Sequence, residues 1–402
     1  MSDSPLCSES GYPTDLAPRN KNSLTEWQRI LLNQVEALGG FYNAHTHLDR
    51  AHTLAPRFLA PIGIAPLEAS ILPLSAKQNM VFNLHDGPAY TEEDLRARMT
   101  YAIERQIALG VTRIDTNIDA TPDLPKDGLL AIYVAIELRD KFAKRGIRIR
   151  IAPTPIGGFK PDLRRKRTRW EVFEEAARKC DYLSLLPEKD DPWEDGGKIG
   201  FKQHIRKGIE LARMLGKQAQ FHLDQMNSPY ECGTEWLLDV LDVLDRETHH
   251  GEPMVSIIHG ISLSAKSESY KRRIMDRCLE HNVEFIVCPS AALSMLQLSP
   301  LEGPVHNSIA PVSELIKMGI TVKVGTDNID DVFVPQGDGD MLIEVKEGSE
   351  AVRLNSPSIW AKLATGTMPN KVDISTVGTM LYQKQRACEK IKSDWKSSTE
   401  LN

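Results

Sequence analysis

The 402-residue chain contains six cysteines, Cys7, Cys180, Cys232, Cys278, Cys288 and Cys388, and no two of them stand at C-x-x-C spacing. A chain this long builds its core without staples, so these are expected to be reduced thiols in a cytosolic protein. No uninterrupted apolar run approaches the roughly 20 residues of a spanning helix, and MSDSPLCSESGYPTDLAPRNKN (1–22) lacks an apolar h-region. Membrane insertion and export are therefore disfavoured. Basic charge is not in excess either: the formal net charge is −6 with acids and bases interleaved, which argues against nucleic acid and anionic membranes as partners. What remains is an ordinary cytoplasmic composition, 41% hydrophobic and 26% charged, with a small molecule as the expected partner and homo-oligomerisation left open.

Short β-rich runs recur along this chain: FYNAHTH (41–47), TRIDTNID (112–119), IRIRIAPTPI (147–156), DYLSLLP (181–187), QAQFHLD (218–224), MVSIIHG (254–260), VEFIVCP (283–289) and TVKVGTD (321–327). Between them lie amphipathic segments such as 92–110, 128–146, 199–217 and 270–282, several ending in the Gly or Asn that terminates helices. Eight βα repeats, with strands apolar on both faces, favour an α/β fold of the (β/α)8 TIM-barrel type over an open doubly wound sheet. No G-x-G-x-x-G follows the first strand, which weakens a dinucleotide-binding reading. The domain expectation is a loosely attached segment 1–22 and a single barrel over 23–402 with a helical C-terminal tail, its last residues, 392–402, frayed. The connection 48–111, carrying Pro56, Pro61, Pro66 and Pro73, is too long for a plain βα loop and is expected to fold over the barrel mouth.

His45, His47, His222 and His259 fall at or near the C-terminal ends of expected strands, as does Asp327. Residues i and i+2 of a strand share a face, so His45 and His47 can hold one cation between them. A third imidazole and a carboxylate from other strands complete a site with an open position for water. Singly, each histidine is better read as a satisfied core or surface residue; it is the joint placement that points to metal. His52, His85, His204, His249, His250, His281 and His306 read as solvated surface, with His249 and His250 in a turn.

Taken in order, HTHLDR (45–50), TNIDATPD (116–123), PTPIGG (153–158), FHLDQ (221–225), IIHGISL (257–263), CPSAAL (288–293) and VGTDNIDDVFVPQGDGDML (324–342) resemble the amidohydrolase superfamily, cytosine deaminase-like branch, over about residues 40 to 345. The resemblance implies His45, His47, His222 and Asp327 as ligands of one divalent transition metal, with Asp327 also shuttling protons and His259 contacting the bound water or the substrate. Zinc is the first expectation, with iron(II) and manganese as alternatives. DYLSLLP offers no lysine, so the two-metal form of the family is not expected.

Departures from the family point away from cytosine. Where its deaminases carry a proton-shuttling glutamate, this chain has Gln225, and an amide cannot exchange protons as a carboxyl does. Ile156 replaces the glutamine that reads the base, Asn328 replaces an aspartate, and Phe333 replaces a pocket tryptophan; with Gln225 these are the expected substrate-binding residues, the alternative readings being Gln225 as a structural amide and Ile156 and Phe333 as plain core. Too few strand-like segments flank the repeats for the family's β-sandwich, which is expected to be absent or vestigial. The expected reaction is hydrolysis of a C–N bond in an amide, lactam or cyclic amidine, by attack of metal-activated hydroxide. Alternatives are deamination of a modified heterocycle and a non-catalytic ligand-binding protein on the same scaffold.

Overall fold

In the computed structural model the runs rich in β-branched and aromatic residues form strands β1 (Phe41–Thr46), β2 (Val111–Asp119), β3 (Arg148–Thr154), β4 (Leu183–Leu185), β5 (Ala219–Leu223), β6 (Val255–His259), β7 (Glu284–Val287) and β8 (Val322–Val324). The structure describes residues 12, 16–160, 166–191, 199–226, 228–244, 248–249, 252–295 and 309–399. All eight strands lie where the sequence pattern puts them, and helices follow each. They form two sheets, one in the order β1-β2-β3 and one in the order β8-β7-β6-β5-β4, with every neighbouring pair parallel. The fold is therefore α/β with parallel sheets.

Hydrogen bonds join the sheets at both edges. On one side the Asp327 amide donates to the His45 carbonyl at 2.9 Å and the His47 amide to the Asp327 carbonyl at 3.2 Å. On the other, the Asp181 amide donates to the Ile151 carbonyl at 2.8 Å, and the Asp181 carboxylate accepts from the Ile151 amide at 2.9 Å.

The helices explain their own placement. The helix Phe201–Leu215 buries Ile205, Ile209 and Ala212, spaced to form one face, and it packs on β4 at Gly208, where an added Cβ would come within 2.5 Å of Leu185. Thr168 and Glu171 close a capping box at the start of the helix Arg169–Lys179. The connection after β1 is itself helical, with Pro56–Leu59 and Pro66–Ser70 each starting on a proline at the first turn, where a missing N–H costs nothing. The helices Leu74–His85 and Glu92–Ala108 complete it. No helix among the described residues is long and apolar enough to cross a membrane.

Phe41, Ile114, Phe221, Ile257, Phe285 and Val324 belong to the large apolar core. The opposite face of the strands corrects an expectation, because it is not uniformly apolar: Asp115, Asn117, Ser184, Gln220, Ser256, Glu284 and Lys323 are buried there. Most of them pair, as in Asn117 to Ser184 at 2.8 Å, Ser256 to Glu284 at 2.7 Å and Lys323 to Glu284 at 2.8 Å, while Gln220 Oε1 has no partner among the described residues.

Other expectations also change. His249 lies in a short antiparallel ribbon, Thr248–His249 against Glu252–Pro253, instead of a turn. His85 and His204 are buried, not solvated, because each meets a carboxylate distant in sequence: His85 lies 3.0 Å from Asp119, and His204 lies 2.6 Å from Asp190. The helix Lys371–Thr399 runs through most of the segment expected to fray. His250, His306 and nearly all of 1–15 lie outside the described residues.

Candidate metal centre

The ladder between β1 and β2 shifts register between Asn43 and Thr46. Simple alternation is interrupted there, so Tyr42 and Ala44 pack in the inner apolar cluster while His45 and His47, further on, turn towards one centre. Asn43 ties this segment to the end of β8: its amide donates to Thr326 Oγ1 at 2.8 Å, and its Oδ1 accepts from the Thr326 amide at 3.0 Å. Gly325 allows the approach, since a Cβ on it would stand 2.7 Å from the His45 carbonyl oxygen. Asp327 and His259 both have positive φ, 59° and 78°, a conformation of about 1–3 kcal/mol strain that their surroundings must hold in place.

Five buried side chains converge at this point: His45, His47, His222, His259 and Asp327. Nε2 of His45 and Nε2 of His47 each lie 3.3 Å from Asp327 Oδ1, and Nε2 of His259 lies 3.8 Å from Oδ2. The His222 ring centre is 4.9 Å from that of His45 and 5.7 Å from that of His47. One ligand atom from each of His45, His47 and His222 lies within 4.8 Å of the others; the same holds for His259, Cys288 and Asp327.

These residues fit a divalent cation. With bonds of ~2.0–2.2 Å, donors on one tetrahedral ion stand about 3.3–3.5 Å apart, the spacing seen between the His45 and His47 nitrogens and Asp327. His45 Nε2 and His222 Nε2 are buried without a hydrogen-bond partner among the described residues, a cost of roughly 1–3 kcal/mol each unless something else binds them. Burial, then the neighbouring imidazoles, hold His222 well below the usual histidine range. Burial, then the Arg50 charge, lowers His47 to about 4, and burial lowers His259 to about 4. These rings are neutral, as ligands must be. Burial pushes Asp327 up, but the imidazoles of His45 and His47 against its edge outweigh burial and hold the carboxyl well below its ordinary value. The result is three neutral imidazoles, His47, His222 and His259, around one carboxylate.

Neighbouring groups orient the rings. His222 Nδ1 lies 3.2 Å from the Leu185 carbonyl, which can only accept, so the proton sits on Nδ1 and the Nε2 lone pair faces the centre. His45 Nδ1 contacts the Asn117 amide at 3.1 Å, and Asn117 is held by Tyr182 at 2.7 Å and Ser184 at 2.8 Å.

A cavity opens onto this centre, with about 40 Å³ open to water-sized spheres, room for more than one water. Gln225, Ile156, Asn328 and Phe333 all line it. Ile156 packs with Val81 and Leu186, and the Asn328 amide donates to Asp331. Gln225 Nε2 is buried without a partner among the described residues. Asp224 is not at this wall; its carboxylate accepts from the amides of Gly233 and Thr234 at 2.7 and 3.0 Å and so caps the following helix.

Sequence reasoning missed part of this wall. Leu72, Leu74, Lys77 and Gln78 come from the 48–111 connection, and Arg50 comes from just beyond the paired histidines. The signal for Arg50 was the acid–base step Asp49-Arg50 that ends HTHLDR. Cys288 reads from the sequence only as a reduced thiol, although VEFIVCP and CPSAAL put it at the end of β7, the strand paired with β8 ahead of Asp327.

The α/β arrangement of parallel sheets is shared with solved hydrolases and deaminases. The chain is similar to 5-methylcytosine deaminase from Klebsiella pneumoniae liganded with 5-fluorocytosine, with TM-score 0.67 and 19% identity over 81% of this chain and 73% of that one. It is also similar to N-isopropylammelide isopropylaminohydrolase from Burkholderia multivorans, with TM-score 0.60 and 19% identity over 85% and 74%. Atrazine chlorohydrolase from Arthrobacter aurescens complexed with zinc gives TM-score 0.51 and 16% identity over 81% and 66%. An uncharacterised protein of Haemophilus influenzae is 28% identical over 299 residues, 74% of this chain and 97% of its own length. No family model matches the chain.

Proposed function

We propose that this chain is a mononuclear metal-dependent amidohydrolase of the cytosine deaminase-like branch, cleaving a C–N bond in a small nitrogen compound. The observation that carries this reading is the approach of His45 Nε2 and His47 Nε2 to one oxygen of Asp327, 3.3 Å each, with the unpartnered Nε2 of His222 beside them. The hydrogen bonds at both sheet edges support closure of the eight strands into a (β/α)8 barrel over 23–402, with the flanking sandwich absent or vestigial. Zinc is the preferred ion for three imidazoles and a carboxylate, ahead of iron(II) or manganese, and the similar chlorohydrolase is described with zinc. The cytoplasm is the compartment this reading assigns.

A divalent cation held by His45, His47, His222 and Asp327 would acidify water and polarise the substrate's oxygen. Asp327, ionised and facing the cavity, accepts the proton of the attacking water and passes it to the leaving nitrogen. His259 Nε2, 3.8 Å from Asp327 Oδ2, steadies the charge that develops on the attacked group. Ile156, Leu186 and Phe333 keep one side of the cavity dry.

Gln225 decides between two reactions. Its free Nε2 donates a hydrogen bond but supplies no proton to a ring nitrogen, which favours hydrolysis of an amide, lactam or cyclic amidine over ring deamination. The likeness to a 5-methylcytosine deaminase favours the other reading, in which Asp327 alone carries the proton. Incubation of zinc-loaded protein with heterocyclic amines, lactams and linear amides separates them: ring opening to a product heavier by one water, or cleavage of a linear amide to an acid and an amine, supports amide hydrolysis. Ammonia released from an intact ring establishes the deaminase instead. No turnover together with less than about half an equivalent of bound metal after reconstitution defeats both.

A further inference from the structure

The cavity wall holds a cation for which the reaction above has no use. Arg50 is 5% exposed, yet it lines the cavity beside His47 and His222. Asp119 grips one edge of its guanidinium, taking Nε–H at 3.0 Å on Oδ2 and Nη2–H on Oδ1. Asp119 is fixed in turn by His85 at 3.0 Å and by the Tyr90 hydroxyl at 3.3 Å, so the arginine is locked before any ligand arrives. A guanidinium has five N–H groups, and Asp119 occupies two. The other three, on Nη1 and Nη2, meet no acceptor among the described residues.

Arg98, only a short distance away, shows what a purely structural arginine looks like here. It is fully buried, with Nη1 bonded to the Asp49 and Ala51 carbonyls at 2.8 and 2.7 Å, Nη2 to the Ala89 carbonyl and Nε to Asp94 at 2.5 Å. Every nitrogen has a protein acceptor. Arg50 differs in lining the cavity while three of its N–H groups meet no acceptor among the described residues.

A second cation faces the same space. Lys77 lines the cavity at 6% exposure, and its ammonium makes no hydrogen bond or ion pair with a described residue. Asp327 is the one acid among the residues lining the cavity, and the metal reading commits it. Asp331, close by, is occupied by the amides of Phe333 and Val334 at 2.8 and 3.1 Å and by Asn328. Two cations and the Gln225 amide therefore line the cavity with no carboxylate among the described residues left to answer them. A neutral carbonyl would leave the lysine charge unpaired, whereas a carboxylate can take both the planar arginine edge and the ammonium.

We infer that Arg50, with Lys77, is the specificity device of this site, and that the substrate is a small nitrogen compound carrying a carboxylate. The inference rests on the hydrolase reading of the cavity. Binding of matched acids and amides to zinc-loaded protein by calorimetry at low salt tests it, with nicotinate against nicotinamide and 2-pyrrolidone-5-carboxylate against its amide. At least one acid is expected to bind tenfold or more tightly than its amide. Arg50→Lys, which keeps a cation for Asp119 and removes the planar edge, should bring the pair within threefold, and Lys77→Met, which leaves the Asp119 network alone, should weaken the acid alone by threefold or more. If no acid is preferred, or if the preference survives both substitutions because the acid simply contacts zinc, the inference falls. Zinc content measured on the same samples reports separately on the metal centre: full loading without acid preference overturns the specificity and leaves the hydrolase standing.

Discussion

Replacing Gly325 by alanine tests whether the seam between β1 and β8 sets the metal centre. The new methyl would sit 2.7 Å from the His45 carbonyl oxygen and 2.8 Å from both His45 N and His45 Cβ. Those atoms are backbone, or fixed to it, and cannot swing aside, so the strand ends must part by about 0.7 Å to restore ordinary contact. Metal–ligand distances tolerate only about ±0.2 Å, and the seam carries His45 and His47 on one side and Asp327 on the other. Zinc affinity is therefore expected to fall by roughly 10–100-fold, the range for losing a ligand's support, and folding stability by about 1–3 kcal/mol for overpacking. Competition with a chromophoric chelator reads the first, and urea unfolding of metal-free protein the second. Gly216→Ala is the control, because Gly216 ends the helix Phe201–Leu215 at φ +62° with nothing within 4 Å of its Cβ position. It should cost about 1 kcal/mol of backbone strain and leave zinc binding alone. A Gly325→Ala protein that binds zinc as tightly as its parent would refute the reasoning.

His222→Ala should lower zinc occupancy and reduce kcat by several orders of magnitude on any substrate the panel identifies; a variant with near-parental turnover would remove His222 from the ligand set. Gln225→Glu should retain zinc and shift products towards free ammonia, since a carboxyl restores a proton donor at that place; unchanged product ratios would mean that Gln225 is only structural. Burial, then the Asp224 charge, raises Glu231 to about 8, far above the ordinary glutamate value. The folded state thus holds a proton that the unfolded chain releases at lower pH, so stability falls as pH rises from about 4.5 to about 8 and is flat beyond. Glu231→Gln should remove that fall: the difference in urea midpoint between parent and variant must grow from about pH 5.5 to about pH 8.5, and a constant difference would contradict the assignment.

The strands were legible because each is a short run of residues such as those of VEFIVCP or MVSIIHG, bounded by polar helical segments. The histidines and Asp327 were legible because a strand end is a fixed address in such a fold, so residues far apart in the chain could be expected together. Burial of single polar side chains was not legible. His85 and His204 read as surface because the carboxylates that satisfy them, Asp119 and Asp190, are brought to them only by packing. The polar inner face of the strands was hidden for the same reason: Lys323 and Glu284, or Asn117 and Ser184, make sense as pairs across neighbouring elements and look out of place singly. Arg50 stood in the motif itself, but its open edge is visible only once Asp119 is seen holding the other.

The seam at Thr46 and Asp327 joins positions 281 residues apart. During synthesis the paired histidines leave the ribosome long before the aspartate that faces them, so the nascent chain presents an incomplete chelate for most of its translation. On the proposed metal reading, capture of the ion is then among the last events of maturation, and any product truncated ahead of β8 lacks the aspartate that completes the set.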